Sequence, residues 1–185
     1  MKKWLAVVFM LAAVCLRAQD ITGFWQTFYD NRNQDPKSVI AVYKYNGDVY
    51  ARVMLMYHQG SRGTEIWDTM YNQKAMSAPN VVRIVNGQKV PVPMAGLDVI
   101  WNMHPGRGRT WLYEGGIILD PLNGNEYRGR MKLDRDGNLV VRGHLRISSL
   151  LGRSHTAIRF NPANFPAGFA VPDYTTFVPD IPTVK

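Results

Sequence analysis

An asparagine followed by a glycine, set between two long runs of strand-forming residues, constrains this chain more than any other feature. Asn46-Gly47 supplies the positive φ that both central positions of a type I′ turn require, and so predicts a tight antiparallel hairpin. Pairing outward from the turn sets Lys44 against Val49, Val42 against Ala51 and Ile40 against Val53, an aliphatic face that reads as core. The other face mixes Val39, Ala41 and Tyr43 with Tyr50, Arg52 and Met54, and Met56 and His58 continue the row. A face of that composition predicts a ribbon covered in part on both sides.

A second hairpin turns at Asp134-Arg135-Asp136-Gly137-Asn138. With Leu133 and Leu139 flanking the turn, Met131 meets Val141, Gly129 meets Gly143 and Tyr127 meets Leu145 on a small, apolar face. The opposite face gathers Arg128, Arg130, Lys132, Arg142, His144 and Arg146. Like charges directly across a strand pair disfavour it by up to about 1 kcal/mol. Arg130 opposite Arg142 therefore reads either as an anion-binding strip or as a solvated outer face screened by salt and by Glu126.

No apolar stripe recurs at helical spacing over three clean turns, and Glu65 to Met76 is the best short-helix candidate. Strand signals are dense over residues 19–58 and again over 111–160. Between them, residues 59–110 are broken repeatedly by Gly and Pro and predict a long irregular insertion. The expectation is an all-β chain folded as a single antiparallel barrel over residues 19–160, with a Pro-rich tail at 161–185.

Two ends of that span suggest how the barrel closes. Gly23-Phe24-Trp25 opens the first strand, and Arg159 lies at the end of the last. Gly-x-Trp on a first strand with Arg on a last one resembles the lipocalin and fatty-acid-binding-protein superfamily. There the guanidinium lies over the indole and seals one end, a contact worth about 0.5–2 kcal/mol that joins two otherwise open edges. Further residues sharpen the resemblance: the run Gly115-Gly116-Ile117-Ile118-Leu119-Asp120-Pro121, then Gly124, Tyr127, Leu139, Val141-Arg142-Gly143, Gly152-Arg153 and Arg159. Together they resemble a bacterial family of exported proteins known only as a domain of unknown function (two-one-four-seven type), over about residues 20–160. The resemblance implies a lipocalin-like (calycin) barrel and brings no catalytic residue with it. Many members carry a Cys before the Gly that matches Gly96, where this chain has Ala95; a role tied to that thiol would be absent here.

The compartment is read from the start of the chain. Lys2 and Lys3 precede an apolar stretch from Trp4 to Leu16, and Ala18 is a small residue at a cleavage position, so residues 1–18 predict a secretory signal peptide. The apolar run is short for a membrane span. The expected location is periplasmic or secreted, with lipid anchoring through Cys15 as a minor alternative. Cys15 is the single cysteine, so the processed chain would hold no disulfide and would depend on its core. Loss of Lys2, Lys3 and Arg17 takes the 22 basic residues to 19 against 14 acidic, a net charge of +5 in place of +8. That balance suits an anionic envelope surface or an acidic ligand.

Catalytic patterns are absent from the sequence. His58, His104, His144 and His155 have no metal-ligand spacing, and no nucleophile elbow, Walker loop or dinucleotide fingerprint occurs, so no cofactor is expected. Glu114 and Asp120 flank a strand and would serve an uncharacterised hydrolase as acid and base, but Asp120-Pro121-Leu122-Asn123-Gly124 reads more simply as turn chemistry. Export argues against a nucleic-acid partner for Tyr127, Arg128 and Arg130.

The reading is a non-catalytic binding protein. An eight-stranded barrel is just wide enough to be filled by side chains or to hold one small ligand. Tyr43, Tyr50, Met54, Met56 and Trp101 are expected to line it for an apolar, lipid-like molecule, with Arg52 holding an anionic head. The alternative is an envelope-interaction protein that uses the basic strip for an anionic polymer or a protein partner. Trp67, Tyr71, Trp101 and Trp111 suggest that the mid-chain segment covers one mouth. The tail, with its alternating prolines and aromatics, is expected to strap across the barrel or dock a partner.

Overall fold

The computed structural model describes residues 20–30, 34–72, 77–145 and 148–184. Residues 1–18 with Cys15, and also Arg146 and Met76, lie outside the described residues. The strands are β1 (Gly23–Phe28), β2 (Pro36–Tyr45), β3 (Asp48–Tyr57), β4 (Ile66–Thr69), β5 (Ser77–Val85), β6 (Gln88–Pro93), β7 (Asp98–Gly106), β8 (Arg109–Asp120), β9 (Asn125–Leu133), β10 (Leu139–Leu145), β11 (Ser148–Arg159) and β12 (Thr183–Val184). The order β2-β1-β11-β10-β9-β8-β7-β3, with β3 paired back to β2, closes an antiparallel barrel of eight strands. Closure leaves no barrel strand with an open edge.

Local turn chemistry accounts for both hairpins. Asn46 and Gly47 sit at φ of 50° and 89°, and β2 pairs β3 as Lys44 with Val49, Val42 with Ala51 and Ile40 with Val53. In the second hairpin the Asp134 carboxylate accepts from the backbone N–H of Asp136 and Asn138, which holds its pKa below the usual carboxylate range. Leu133 then meets Leu139, Met131 meets Val141 and Gly129 meets Gly143.

A bulge between Val39 and Ile40 shifts the ribbon's parity and pairs Val39 with Leu55 and Ser38 with Met56. One extra residue turns every later side chain to the other face.

The structure replaces the irregular insertion with ordered strands. Residues 59–110 contain β4, the β5–β6 hairpin and the barrel strand β7. Glycines and prolines mark turns between short strands here, and Pro91 and Pro93 fall on β6, an edge strand where a missing N–H is tolerated. Ile66–Thr69 is a strand and not the start of a helix, because it extends the sheet from β3, with Thr69 opposite Leu55 and Asp68 opposite Met56.

Two apolar clusters hold the fold. One fills the end of the barrel where β1 begins and β11 stops: Ile21, Trp25, Val42, Val49, Met103, Met131 and Leu139 are all fully buried. The other lies on the outer face of β1, β2 and β3, where Phe24, Val39, Ala41, Met54 and Leu55 are covered by Phe165, Phe169, Tyr174 and Phe177 of the tail. Phe165 stacks on Phe169 at 4.5 Å and Phe177 meets Tyr43 edge-on at 5.3 Å. Short 3-10 turns at Pro162–Asn164 and Tyr174–Thr176 bend the tail across this face, and β12 ends it as a strand beside β5.

Candidate functional site

The site is a barrel sealed at one end and hollow at the other. At the sealed end β1 and β11 meet with Trp25 opposite Arg159, and the guanidinium lies 3.9 Å above the indole centroid. Arg159 also donates to the carbonyls of Thr22 and Asp20, and the Trp25 Nε1 donates to Ile21 O at 2.9 Å. Gly23, at φ 119°, leaves the room this needs: a Cβ there would lie 2.6 Å from Arg159 Nη1. Gly129 serves the same end, since its missing side chain admits the Met103 methyl into the interior.

Toward the opposite end the interior opens into a cavity of about 1160 Å³. Its walls come from all eight barrel strands, among them Ile40, Val53, Ile100, Ile118, Val141 and Ala157. Gly143 adds space beside Tyr127 and Ile118. A volume at or above the ~300–1,000 Å³ of small-molecule sites, with mainly aliphatic walls, suits an apolar molecule. The polar groups are few and sit toward the mouth, where the Thr27 and Ser38 hydroxyls are 2.7 Å apart.

The mouth carries positive charge. Lys37 on β2 and Arg153 on β11 border it, and among the described residues neither forms an ion pair. His155 lies beside them. Burial, then Lys37, then Arg153 push its pKa below the ordinary histidine value, while Asp120 opposes the shift. Asp120 itself is occupied by its turn, accepting from the Leu122 N–H at 3.0 Å and from Asn123 Nδ2 at 2.9 Å. His58 stacks on Trp67 at 5.4 Å on another side of the opening.

The residues singled out from the sequence separate into three places. Met56 is in the cavity wall, turned inward by the bulge. Tyr43, Tyr50, Arg52 and Met54 are not, and their assignment to the lining is corrected, because the wall alternates with them: Val49, Ala51 and Val53 point in and their neighbours point out. Trp101 is buried in the core but is likewise no part of the wall. Arg52 does hold an anion, though an internal one. Its Nε and Nη2 donate to Asp98 at 2.9 and 2.8 Å, and Asp98 also accepts from Tyr43 Oη at 3.0 Å and from the Asp180 N–H at 2.6 Å. Arg52 further donates to Val178 O at 2.8 Å. Burial, then the charge of Asp98, raise the Tyr43 pKa. Burial works against the Arg52 charge, but the Asp98 bond and its charge prevail and raise that pKa. The group is a buried latch for the tail.

The basic strip lies outside, along β9 and β10. Arg142 opposes Arg130 and His144 opposes Arg128. Arg130 pairs with Glu114 at 3.4 Å, Arg128 donates to Gly115 O, Arg142 reaches Ser154 Oγ and Leu150 O, and Lys132 sits 5.8 Å from the Trp111 ring. Arg109, Trp111, Arg130, Lys132 and Arg142 border a shallow groove of about 430 Å³. Glu114 is thus engaged with Arg130, and Asp120 with its turn. Among the described residues no group of three or more His, Cys, Asp or Glu side chains could hold a metal ion, and no helix is long and apolar enough to cross a membrane.

Lys37, Arg153 and His155 escaped the sequence reading, yet a signal for two of them was present. Once Arg159 is set against Trp25, alternation along one strand puts Ala157, His155 and Arg153 on the same face. Lys37 has no such signal, because its place depends on an irregularity between Thr27 and Phe28 where β1 pairs β2.

Comparison with known proteins agrees with the geometry. The model of a family described as an uncharacterized protein conserved in bacteria (DUF2147) matches residues 23–159. Among solved structures, protein HP1028 from Helicobacter pylori, described as belonging to the lipocalin family, superposes with a TM-score of 0.55 at 17% identity. The match covers 78% of this chain and 85% of that one. At that identity the likeness is one of fold. No curated protein matches the sequence.

Proposed function

This chain belongs to the conserved bacterial family DUF2147 and has a lipocalin-like barrel, and from that premise we propose that it is an exported, non-catalytic carrier of one small amphipathic molecule. The molecule is lipid-like, apolar along its length and anionic at its head. The observation that carries the reading is the combination of an apolar half-barrel of about 1160 Å³ with Lys37, Arg153 and His155 at its opening. Burying an apolar tail contributes about 25 cal/mol per Å² removed from water. An anionic head left at the mouth keeps its hydration while gaining charge-assisted hydrogen bonds. Export is supported by Lys2, Lys3 and the apolar run to Leu16, ahead of Ala18.

The test is direct. Native mass spectrometry of protein purified from its expressing cells should show a bound small molecule that solvent extraction removes, and the same spectra should place the N-terminus near Gln19. A fluorescent long-chain alkyl sulfonate should then bind the extracted protein. Ala157→Trp, which fills the cavity, should abolish binding, and Lys37→Glu with Arg153→Glu should weaken it at least about tenfold. An extracted protein that binds no such probe, or an Ala157→Trp variant that binds it equally well, refutes the carrier.

A second reading rests on the outer groove, where an exposed Trp111 is ringed by Arg109, Arg130, Lys132 and Arg142. An anionic envelope polymer or an acidic protein face would fit there. Arg130→Glu with Arg142→Glu should abolish such capture while leaving alkyl sulfonate binding intact.

A further inference from the structure

Four leucines at the cavity mouth do nothing for the barrel. Leu122, in the turn between β8 and β9, is 50% exposed; Leu145, at the end of β10, and Leu150 and Leu151, near the start of β11, are 41%, 87% and 60% exposed. β9 and β10 are neighbours, so the Leu122 turn and the adjoining ends of β10 and β11 stand side by side, about 10 Å apart at a strand spacing of ~4.8 Å. Leu122, Leu145 and Leu151 border the opening itself. Arg142 on the outer face of β10 donates to Leu150 O, which ties the start of β11 to its neighbour.

A single exposed leucine needs no explanation, but a row of them around the opening of an apolar cavity does. Lys37 and Arg153, on the same rim, add positive charge beside the apolar tips. Among the described residues that line the opening, the one carboxylate, Asp120, is spent on its own turn.

We infer that the mouth docks on an anionic lipid bilayer, with the leucine tips entering the interfacial layer and the rim cations against the headgroups. Short apolar tips combined with cations are the chemistry by which a peripheral protein lies on a membrane without crossing it. The bilayer is favoured over a protein partner because of continuity: a molecule moving between cavity and membrane along these leucines never exposes its apolar length to water. The inference shares the mouth with the proposed ligand site but needs no ligand in place, so the two can fail separately.

The experiment is flotation of the purified protein with vesicles of phosphatidylglycerol mixed into phosphatidylcholine, and with phosphatidylcholine alone. Binding to the mixed vesicles, reduced at least about tenfold by Leu150→Ser with Leu151→Ser and markedly weaker on the neutral vesicles, is expected. Both substitutions are at exposed positions, and a native midpoint of urea unfolding shows that the variant's barrel is intact. No flotation of the native protein, or equal flotation of native and variant, overturns the inference. So does a concentration-dependent dimer that the same two substitutions abolish, since the leucines would then serve self-association.

Discussion

Removing the carboxylate of Asp98 should damage this protein more than any other single charged-to-apolar change, although Asp98 is far in sequence from everything it holds. Its side chain is fully buried and accepts four hydrogen bonds, two from Arg52, one from Tyr43 and one from the backbone of Asp180. Asp98→Ala leaves a guanidinium with a side chain only 13% exposed and without its counterion, beside an orphaned hydroxyl and an orphaned N–H. Breaking a buried pair by deleting one partner costs about 3–5 kcal/mol, a large part of the roughly 5–15 kcal/mol that holds a domain together. With a urea m-value of about 2 kcal/mol/M, the midpoint of unfolding should fall by about 1.5–2.5 M. The tail is anchored at the same point through Arg52 and Val178, so limited proteolysis should cut beyond Asn161 faster in the variant. The double change Arg52→Met with Asp98→Leu should recover most of the loss, because an apolar pair of similar volume replaces a buried ion pair at little cost. A single variant within about 0.5 kcal/mol of native, or a double variant no better than the single, would refute the latch.

Four further outcomes can be checked. An anion at the mouth raises the depressed His155 pKa, so binding takes up a proton; alkyl sulfonate affinity should rise as pH falls toward that depressed value, and titration of His155→Gln should show a flat profile. In the ligand-free protein the same depressed pKa means that the unfolded chain binds the extra proton, so stability conferred at this site is present above about pH 6.5 and declines as pH drops through the folded value; urea unfolding at pH 7.5 and 5.5 reads the sign. Gly129→Val drives a side chain onto the Met103 methyl and toward Ile118, an overpacking cost of about 1–3 kcal/mol that calorimetry should show and that Met103→Ala should relieve. Arg159→Met keeps the stem over Trp25 but removes its charge and two hydrogen bonds, and thermal unfolding should register a loss of about 1–2 kcal/mol.

The candidate site was legible only in part, and the residues show why. Met56 lines the cavity wall, on a face it does not share with Tyr43 and Arg52. The aliphatic face of Ile40, Val42, Ala51 and Val53 reads as core from the sequence, and it is the lumen side. The richer face of aromatics and methionines is buried too, beneath the tail, and its composition suggested a ligand where another part of the chain supplies the cover.

Alone, the sequence determined what depends on neighbours in the chain. Asn46-Gly47 and the Asp134 turn dictate two hairpins and their registers, because a two-sided turn geometry leaves alternation no freedom. Tertiary structure decided which face of each ribbon became the lumen, since curvature and the docking of Phe165, Phe169 and Phe177 set the inside and the outside. It also decided the partner of Arg52, which lies 46 residues away at Asp98, and the gathering of Lys37 with Arg153 at one mouth. Such meetings follow from closure of the whole sheet, and a closure is a property of strands that no local pattern contains.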